Sequence, residues 1–337
     1  MRIAIVGAGA IGAYVGARLA AAGNEVALLA RGAHLRAMQE RGVLVRSTSG
    51  ELTAHPFATE NPAEIGPVDI VFLTLKAHSL PEIAPRLAPL LGPETPVIAG
   101  QNGIPWWYFE KHGGPLDGTR LNSVDPGGTL SLTIPIERVV GCVIYCSAVI
   151  EEPGVILHIE GERLAIGEPD GSRSERCKRI SRVLQQANLK CRVRTRIRHD
   201  IWVKLLGNLA LNPISALTRA AIEEMTHDAK TQEIMRAIME EGAAVARAVG
   251  VELEISIDQR LQGASRVGEH KTSMLQDLEQ GRPLELDCIV GAVIELAEKL
   301  HVPAPHTRTV YACTKLLEKI TTTETQRGRQ PQPNRAV

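Results

Sequence analysis

Within residues 200–217 (DIWVKLLGNLALNPISAL), Lys204, Asn208 and Asn212 recur at i, i+4 and i+8 in an otherwise apolar stretch. On a helix of 3.6 residues per turn they form one column, drifting about 40° per step. Ile201, Trp202, Val203, Leu205, Leu206, Leu209, Ala210 and Leu211 point nearly all round the same helix, as in an element buried on most sides. A solvated stripe is the plainer reading of the column. Such a stripe usually carries Glu, Lys and Arg, however, whereas asparagine is a poor helix former, so the column reads as facing something polar. A lysine placed there can donate a proton to a developing alkoxide. Glu285 follows the break Gly281-Arg282-Pro283, near a helix start, and is a carboxylate available to orient that lysine. Ser273, ahead of a helical run over 274–280, reads equally as a substrate contact or as the cap of a Ser273-x-x-Gln276 capping box.

A second constellation opens the chain. MRIAIVGAGAIG turns from a small apolar run into Gly-x-Gly-x-x-Gly at Gly7, Gly9 and Gly12, and residues 13–22 follow with high helix propensity before Gly23. Strand, tight turn and helix are the context that gives this motif meaning. Gly7 serves the turn, Gly9 the approach of backbone to a pyrophosphate, and Gly12 close packing of helix on strand. Gly7, Ala8, Gly9, Ala10, Ile11 and Gly12 are therefore the candidate dinucleotide cradle, with the helix N-terminus facing the phosphates. The next strand, 25–30, ends in Ala30-Arg31-Gly32 with no acid to hold a ribose 2′-hydroxyl. A guanidinium there pairs with a 2′-phosphate, which favours NADP(H), unless Arg31 is simply a solvated loop residue.

These elements fit a chain of 337 residues, 44% hydrophobic, which is enough for two cores. The apolar runs at 69–75 and 96–99 read as central parallel strands. They end in Lys76 and in Gln101-Asn102-Gly103, and the carboxyl ends of such strands border the ligand crevice. Lys76 and Asn102 are thus candidate contacts, against the alternatives of a surface lysine and an Asn-Gly turn. Residues 112–128, rich in Gly, Pro, Asp and Asn, read as a long loop, either a lid or a disordered excursion. Stretches 139–149 and 155–159 read as strands joined at Glu151-Glu152-Pro153-Gly154. From Ile197 the pattern is helical, with breaks at Pro213, Gly250, 281–283 and 303–305. The expected organisation is a dinucleotide-binding domain over 1–195, an all-helical substrate domain over 196–320, and a disordered tail over 321–337.

Lys plus Arg (38) balances Asp plus Glu (38), so no excess positive charge exists to hold nucleic acid or an anionic membrane. No apolar run reaches membrane-spanning length, and a strand beginning at residue 2 or 3 leaves no room for a signal peptide. The expectation is a cytoplasmic protein with a small-molecule substrate, with pairing of apolar helices into a homodimer as its oligomer. The six cysteines match neither a zinc site nor a CxxC pair, and Cys142 and Cys146 read as buried packing residues; neither metal nor disulfide is expected.

Taken together, GAGAIG at 7–12, Leu75-Lys76, Gln101-Asn102-Gly103, KxxxNxxxNP over 204–213 and SMLQDLEQGRPLE over 273–285 resemble the ketopantoate reductases (2-dehydropantoate 2-reductases) over essentially the whole chain. The resemblance implies a Rossmann-type α/β domain followed by an all-α domain. It implies NADPH-dependent reduction of ketopantoate, a 2-keto acid, to (R)-pantoate on the route to pantothenate and coenzyme A. It makes Lys204 the general acid, and has Glu285 hold substrate, cofactor or the lysine. Asn208, Asn212 and Ser273 would contact substrate, Asn102 would lie between substrate and cofactor, and Arg31 and Lys76 would meet the adenosine end. Leu284 and Val290 stand where the family commonly has threonine and asparagine, and one further asparagine has no counterpart near Ile222; these departures bear on which 2-keto acid fits. The other readings are a β-hydroxyacid dehydrogenase, which shares the Lys-x-x-x-Asn but not the 273–285 motif, and a non-catalytic NADP(H)-sensing module.

Overall fold

A computed structural model of the chain describes residues 1–266 and 268–329, with side chains described up to residue 322. The chain divides into two compact units, Met1–Asp200 and Ile201–Val337.

The strands of the first unit are β1 Arg2–Val6, β2 Glu25–Leu29, β3 Val43–Ser47, β4 Gly50–Ala54, β5 Phe57–Thr59, β6 Ile70–Leu73, β7 Val97–Ala99, β8 Val139–Glu152, β9 Val155–Gly167 and β10 Lys190–Val193. Its helices are α1 Ala10–Ala21, α2 Gly32–Arg41, the short α3 Leu80–Ile83 and α4 Thr129–Thr133, and α5 Glu175–Gln186. The sheet order is β4-β3-β9-β8-β7-β6-β1-β2-β5, with β10 paired to β9. From β8 to β5 every neighbour is parallel, whereas β8–β9 and β3–β4 are antiparallel hairpins. The mixed sheet curls round α1, which packs on β1 and β2 and also on β3, β4, β8 and β9. Small residues permit that enclosure: Gly12, Ala13, Gly16 and Ala17 are all buried, and a Cβ at Gly16 would meet Leu28.

The short strands β3 to β5 and helix α5 are additions to the sequence reading. Ser174 caps α5 by accepting from the Cys177 amide (3.1 Å). Residues 112–128, read as a long loop, form an irregular segment with two short 3₁₀ turns, exposed over most of 113–120 and anchored at its C-terminal part. Leu121 and Val124 are buried, and the enclosed Asp125 carboxylate accepts from the amides of Leu130 (2.8 Å) and Ser131 (3.1 Å). Cys142 is buried, but Cys146 is only half-buried; none of the six cysteines forms a disulfide.

Helix α6, Ile197–Thr218, carries the chain into the second unit, followed by α7 Ile222–His227, α8 Ala229–Ala248, α9 Ile257–Ser265, α10 Ser273–Glu279, α11 Ala292–Lys299 and α12 Pro305–Arg329. The centre is α8, whose Met235, Ile238, Met239, Gly242, Val245 and Ala246 follow helical spacing and are buried, and which packs against α7, α9, α11 and α12. From α8, Glu241 caps α12 by accepting from the amides of His306 (3.0 Å) and Thr307 (2.8 Å). Two boundaries read from the sequence move. Pro213 lies inside α6, where its missing amide costs one intrahelical bond but the buried helix continues to Thr218. Helix α12 runs to Arg329, into the expected tail; residues 330–337 lie outside those described. No described helix is long and apolar enough to cross a membrane.

Candidate active site

The parallel strands β2, β1, β6 and β7 release their carboxyl ends along one edge of the first unit, where an open α/β sheet places its ligand crevice. At β1 the amides of Gly7 and Ala8 both donate to Leu29 O (3.2 and 2.9 Å), and the Gly9 amide donates to Gly7 O (2.7 Å). Gly7 has φ +101°, and a Cβ on it would strike Leu75. A Cβ on Gly12 would collide with the Gly7 carbonyl and lie 2.5 Å from Thr74 Oγ1. At Gly9 an added Cβ meets nothing within 4 Å, so open space lies over the turn. The first amides of α1, from Ala10 onward, have no intrahelical acceptor and carry the positive end of the helix dipole. Open space beside such amides suits a diphosphate.

Arg31 stands exposed just beyond β2, as the residue preceding α2. Lys76 and Asn102, both half-buried, follow β6 and β7. Gln101 braces these two strand ends through bonds from its Nε2 to the carbonyls of Leu73 (3.0 Å) and Leu75 (3.4 Å). His34 in α2 accepts at Nδ1 from the Gly154 amide (3.0 Å), tying α2 to the β8–β9 turn. Burial lowers its pKa, partly offset by the Ala8 carbonyl. Behind the edge, Arg198 donates from Nε to Tyr108 O (2.7 Å) and from Nη2 to Glu110 O (2.8 Å), fixing the segment after Asn102.

In the second unit, α6 is buried almost all round: Trp202, Leu205, Leu206, Leu209 and Ala210 are enclosed. Lys204 and Asn208 are half-buried. Asn212 is 4% exposed, and its Nδ2 is enclosed with no protein partner. The column thus ends in a buried amide group that the fold itself does not satisfy. Elsewhere on α6, the Arg260 guanidinium from α9 lies over Gly207, within 2.6 Å of where a Cβ would stand.

Ser273 is the exposed first residue of α10, and the cap is its neighbour Thr272, whose side chain accepts from the Leu275 amide (3.2 Å). The capping box expected at Ser273 is therefore replaced, and its hydroxyl is not committed to the helix end. Glu285, 8% exposed, sits one residue before the helical turn, and its carbonyl accepts from the Ile289 amide (3.3 Å). A π-helical turn, Asp287–Gly291, follows directly; such turns cluster at functional sites. The segment leading to Glu285 is pinned by Asp277, which accepts from Arg282 Nε (3.0 Å), and by Glu318, which accepts from the Leu284 amide (2.8 Å).

Residues 3–106 match the family described as ketopantoate reductase PanE/ApbA, and residues 196–318 match its C-terminal domain. A 2-dehydropantoate 2-reductase from Mesorhizobium japonicum is 47% identical over 318 residues, covering 94% of this chain and 98% of that protein. The chain belongs to the ketopantoate reductase family. Among solved structures, one from Ralstonia solanacearum, provisionally named a ketopantoate reductase, superposes with a TM-score of 0.90 at 39% identity, covering 95% of this chain and 98% of that one. D-mandelate dehydrogenase, solved with NADH and anilino(oxo)acetate, shares the fold at a TM-score of 0.82 and 22% identity, covering 95% and 99%.

Within this family frame, the first unit gathers Gly7 to Gly12, Arg31, Lys76 and Asn102 along one sheet edge, and the second holds Lys204, Asn208 and Asn212 on one helix face. Ser273 and Glu285 occupy the α10 segment and the turn after it. Sequence reasoning did not pick out Arg260, whose only sequence trace is a glycine at 207 inside a helix. It also passed over Asp277 and Arg282, polar partners five residues apart within the 273–285 motif. Leu284 and Val290, which the sequence reading connects with the choice of 2-keto acid, are both buried. Among the described residues no group of His, Cys, Asp or Glu is arranged to hold a metal.

Proposed function

We propose that this chain reduces the 2-keto group of ketopantoate to give (R)-pantoate, using NADPH, and so serves pantothenate and coenzyme A synthesis. The observation that carries the reading is the polar column on a buried helix, Lys204 and Asn208 ending in the unsatisfied Asn212 amide, in a chain that also has an open glycine turn at a helix N-terminus. The dinucleotide supplies the hydride when bound. The chain's own residues bind and orient: Gly7 to Gly12 receive the diphosphate, Arg31 and Lys76 the adenosine end with its 2′-phosphate, and Asn102 the region nearer the nicotinamide.

Lys204 donates its proton to the keto oxygen as that oxygen becomes an alkoxide, so charge never accumulates uncompensated on the substrate. Asn208, Asn212 and Ser273 offer neutral donors to the substrate's oxygens, and the enclosed Glu285 orients lysine or ligand. The chemistry and the family names support a 2-keto acid. Ketopantoate is favoured by the 47% identical reductase, while buried Leu284 and Val290 mark where a different 2-keto acid would be accommodated.

The assignment of NADPH rests on Arg31 at the tip of β2, with no acid there. Steady-state kinetics with both cofactors tests it. NADPH should be preferred at least tenfold in kcat/KM, and Arg31→Ala should narrow the gap by raising KM for NADPH alone, as expected for a lost charge-assisted contact of about 1.5–3 kcal/mol. A preference for NADH in the unaltered protein would overturn this part of the reading.

A further inference from the structure

Gln101, immediately after the second of the two motif strands, is held in an asymmetric way. Its Nε2 donates to Leu73 O and Leu75 O, at 3.0 and 3.4 Å. Both partners are carbonyl acceptors, so turning the amide over would set its own oxygen against them; the network fixes which atom is which. Oε1 is therefore directed away from β6, and there it is enclosed and meets no donor of the protein. The backbone behind it is closely packed, since a Cβ on Gly100 would crowd Ile144, Phe72 and Leu73 O. Buried acceptors are rarely left without a partner.

Its place on the sheet says which partner it awaits. On the dinucleotide reading, the glycine turn at β1 takes the diphosphate and Arg31 at β2 the adenosine end. The remaining half of the molecule then extends away from Arg31, past the diphosphate to the end of β7, towards Gln101 and Asn102. That half carries hydrogen-bond donors at two places, the carboxamide NH2 and the hydroxyls of the adjoining ribose. We propose that Gln101 Oε1 accepts a hydrogen bond from the nicotinamide-riboside half of the cofactor, so that one amide braces the strand ends with its nitrogen and aligns the hydride donor with its oxygen. The proposal rests on the dinucleotide reading of the preceding subsection.

The test is equilibrium binding to the full-length protein and to Gln101→Met, with NADPH, 2′-phospho-ADP-ribose (which keeps the distal ribose but lacks nicotinamide) and adenosine 2′,5′-bisphosphate as probes. The variant should bind NADPH about 10- to 100-fold more weakly, the cost of losing one enclosed hydrogen bond, while its affinity for adenosine 2′,5′-bisphosphate stays within about twofold. Equal loss for NADPH and 2′-phospho-ADP-ribose assigns the donor to the ribose; loss confined to NADPH assigns it to the carboxamide. An equal loss for all three probes would mean that Gln101 only braces the strands. Unchanged NADPH affinity would mean that Oε1 takes no bond from the cofactor, and either result overturns the proposal. Should the variant not fold, binding of the 3-acetylpyridine analogue of NADPH, which lacks the carboxamide NH2 but keeps the ribose, and of 2′-phospho-ADP, which lacks both, to the unaltered protein decides it. Affinity must fall about tenfold or more either between NADPH and the acetylpyridine analogue or between that analogue and 2′-phospho-ADP, and parity of all three refutes the proposal. Failure of the unaltered protein to bind NADPH would instead count against the dinucleotide reading itself.

Discussion

The Asn212 amide gives the substrate site a thermodynamic signature that can be read without substrate. Its Nδ2 is enclosed on α6 with no protein partner. A buried amide atom left unsatisfied costs about 1–3 kcal/mol, so Asn212→Leu, similar in shape and fully apolar, should stabilise the free protein by that amount. Helix propensity adds about 0.5 kcal/mol in the same direction. For a unit of 137 residues, 201–337, the unfolding entropy is about 0.3 kcal/mol/K, so Tm of that unit should rise by about 3–10 °C. The same variant should lose its keto acid: a hydrogen bond to a charged or charge-developing substrate is worth about 1.5–3 kcal/mol, or about 10- to 150-fold in kcat/KM. Differential scanning calorimetry and steady-state kinetics on one preparation measure both. A Tm that falls, or rises by no more than propensity explains, together with unchanged kcat/KM, would refute the idea that the column is built around a ligand.

Two glycines of the turn should separate folding from binding. Gly9→Ala adds a Cβ into open space, so unfolding free energy should stay within about 0.5 kcal/mol of the original while dinucleotide affinity falls at least tenfold, whereas Gly12→Ala forces contact with the Gly7 carbonyl and should cost about 1–3 kcal/mol in denaturant unfolding. In the first unit, Arg176 donates from Nε to the enclosed Glu168 carboxylate (2.7 Å), and Arg176→Met should destabilise by about 3–5 kcal/mol because it leaves a buried charge unpaired. Burial raises the Glu168 pKa, but the bonds from Arg176 and Ser174 outweigh it and hold the carboxyl below its ordinary 4.5. The folded value lies below the unfolded one, so this stabilisation is complete above about pH 4.5 and lost as pH falls through the folded value. Urea midpoints between pH 7 and pH 3 should therefore fall more steeply in the unaltered protein than in the Arg176→Met variant.

Much of this architecture is legible in the sequence because local and global preferences agree there. The run Ile3 to Val6, the glycine turn and the alanine-rich helix after it each favour the conformation they adopt, and β6 and β7 are short apolar runs bounded by turn residues. The polar column was visible for the opposite reason, since asparagines on an apolar helix conflict with burial unless something faces them. Where tertiary packing overrides local preference, the reading fails. Pro213 is a helix breaker by propensity, yet α6 is buried on most sides and continues through it. Residues 321–329 lack apolar periodicity but extend a helix already begun at Pro305. The cap of α10 is Thr272 and not Ser273, a difference of one residue that helix-end patterns do not resolve. Arg260 was invisible because its position over Gly207 depends on how α9 packs.

The central claim is that Lys204 protonates a 2-keto acid as hydride arrives. Turnover followed at 340 nm with NADPH, using ketopantoate beside pyruvate, 2-ketoisovalerate and 2-ketoisocaproate, tests it in the unaltered protein and in Lys204→Ala. The account predicts a kcat/KM for ketopantoate of about 10⁴ M⁻¹s⁻¹ or more, ahead of the other acids. It also predicts a kcat about 10²-fold or more lower in the variant, with NADPH binding retained. Equal turnover by Lys204→Ala, or NADPH binding without reduction of any of the four acids, would contradict it.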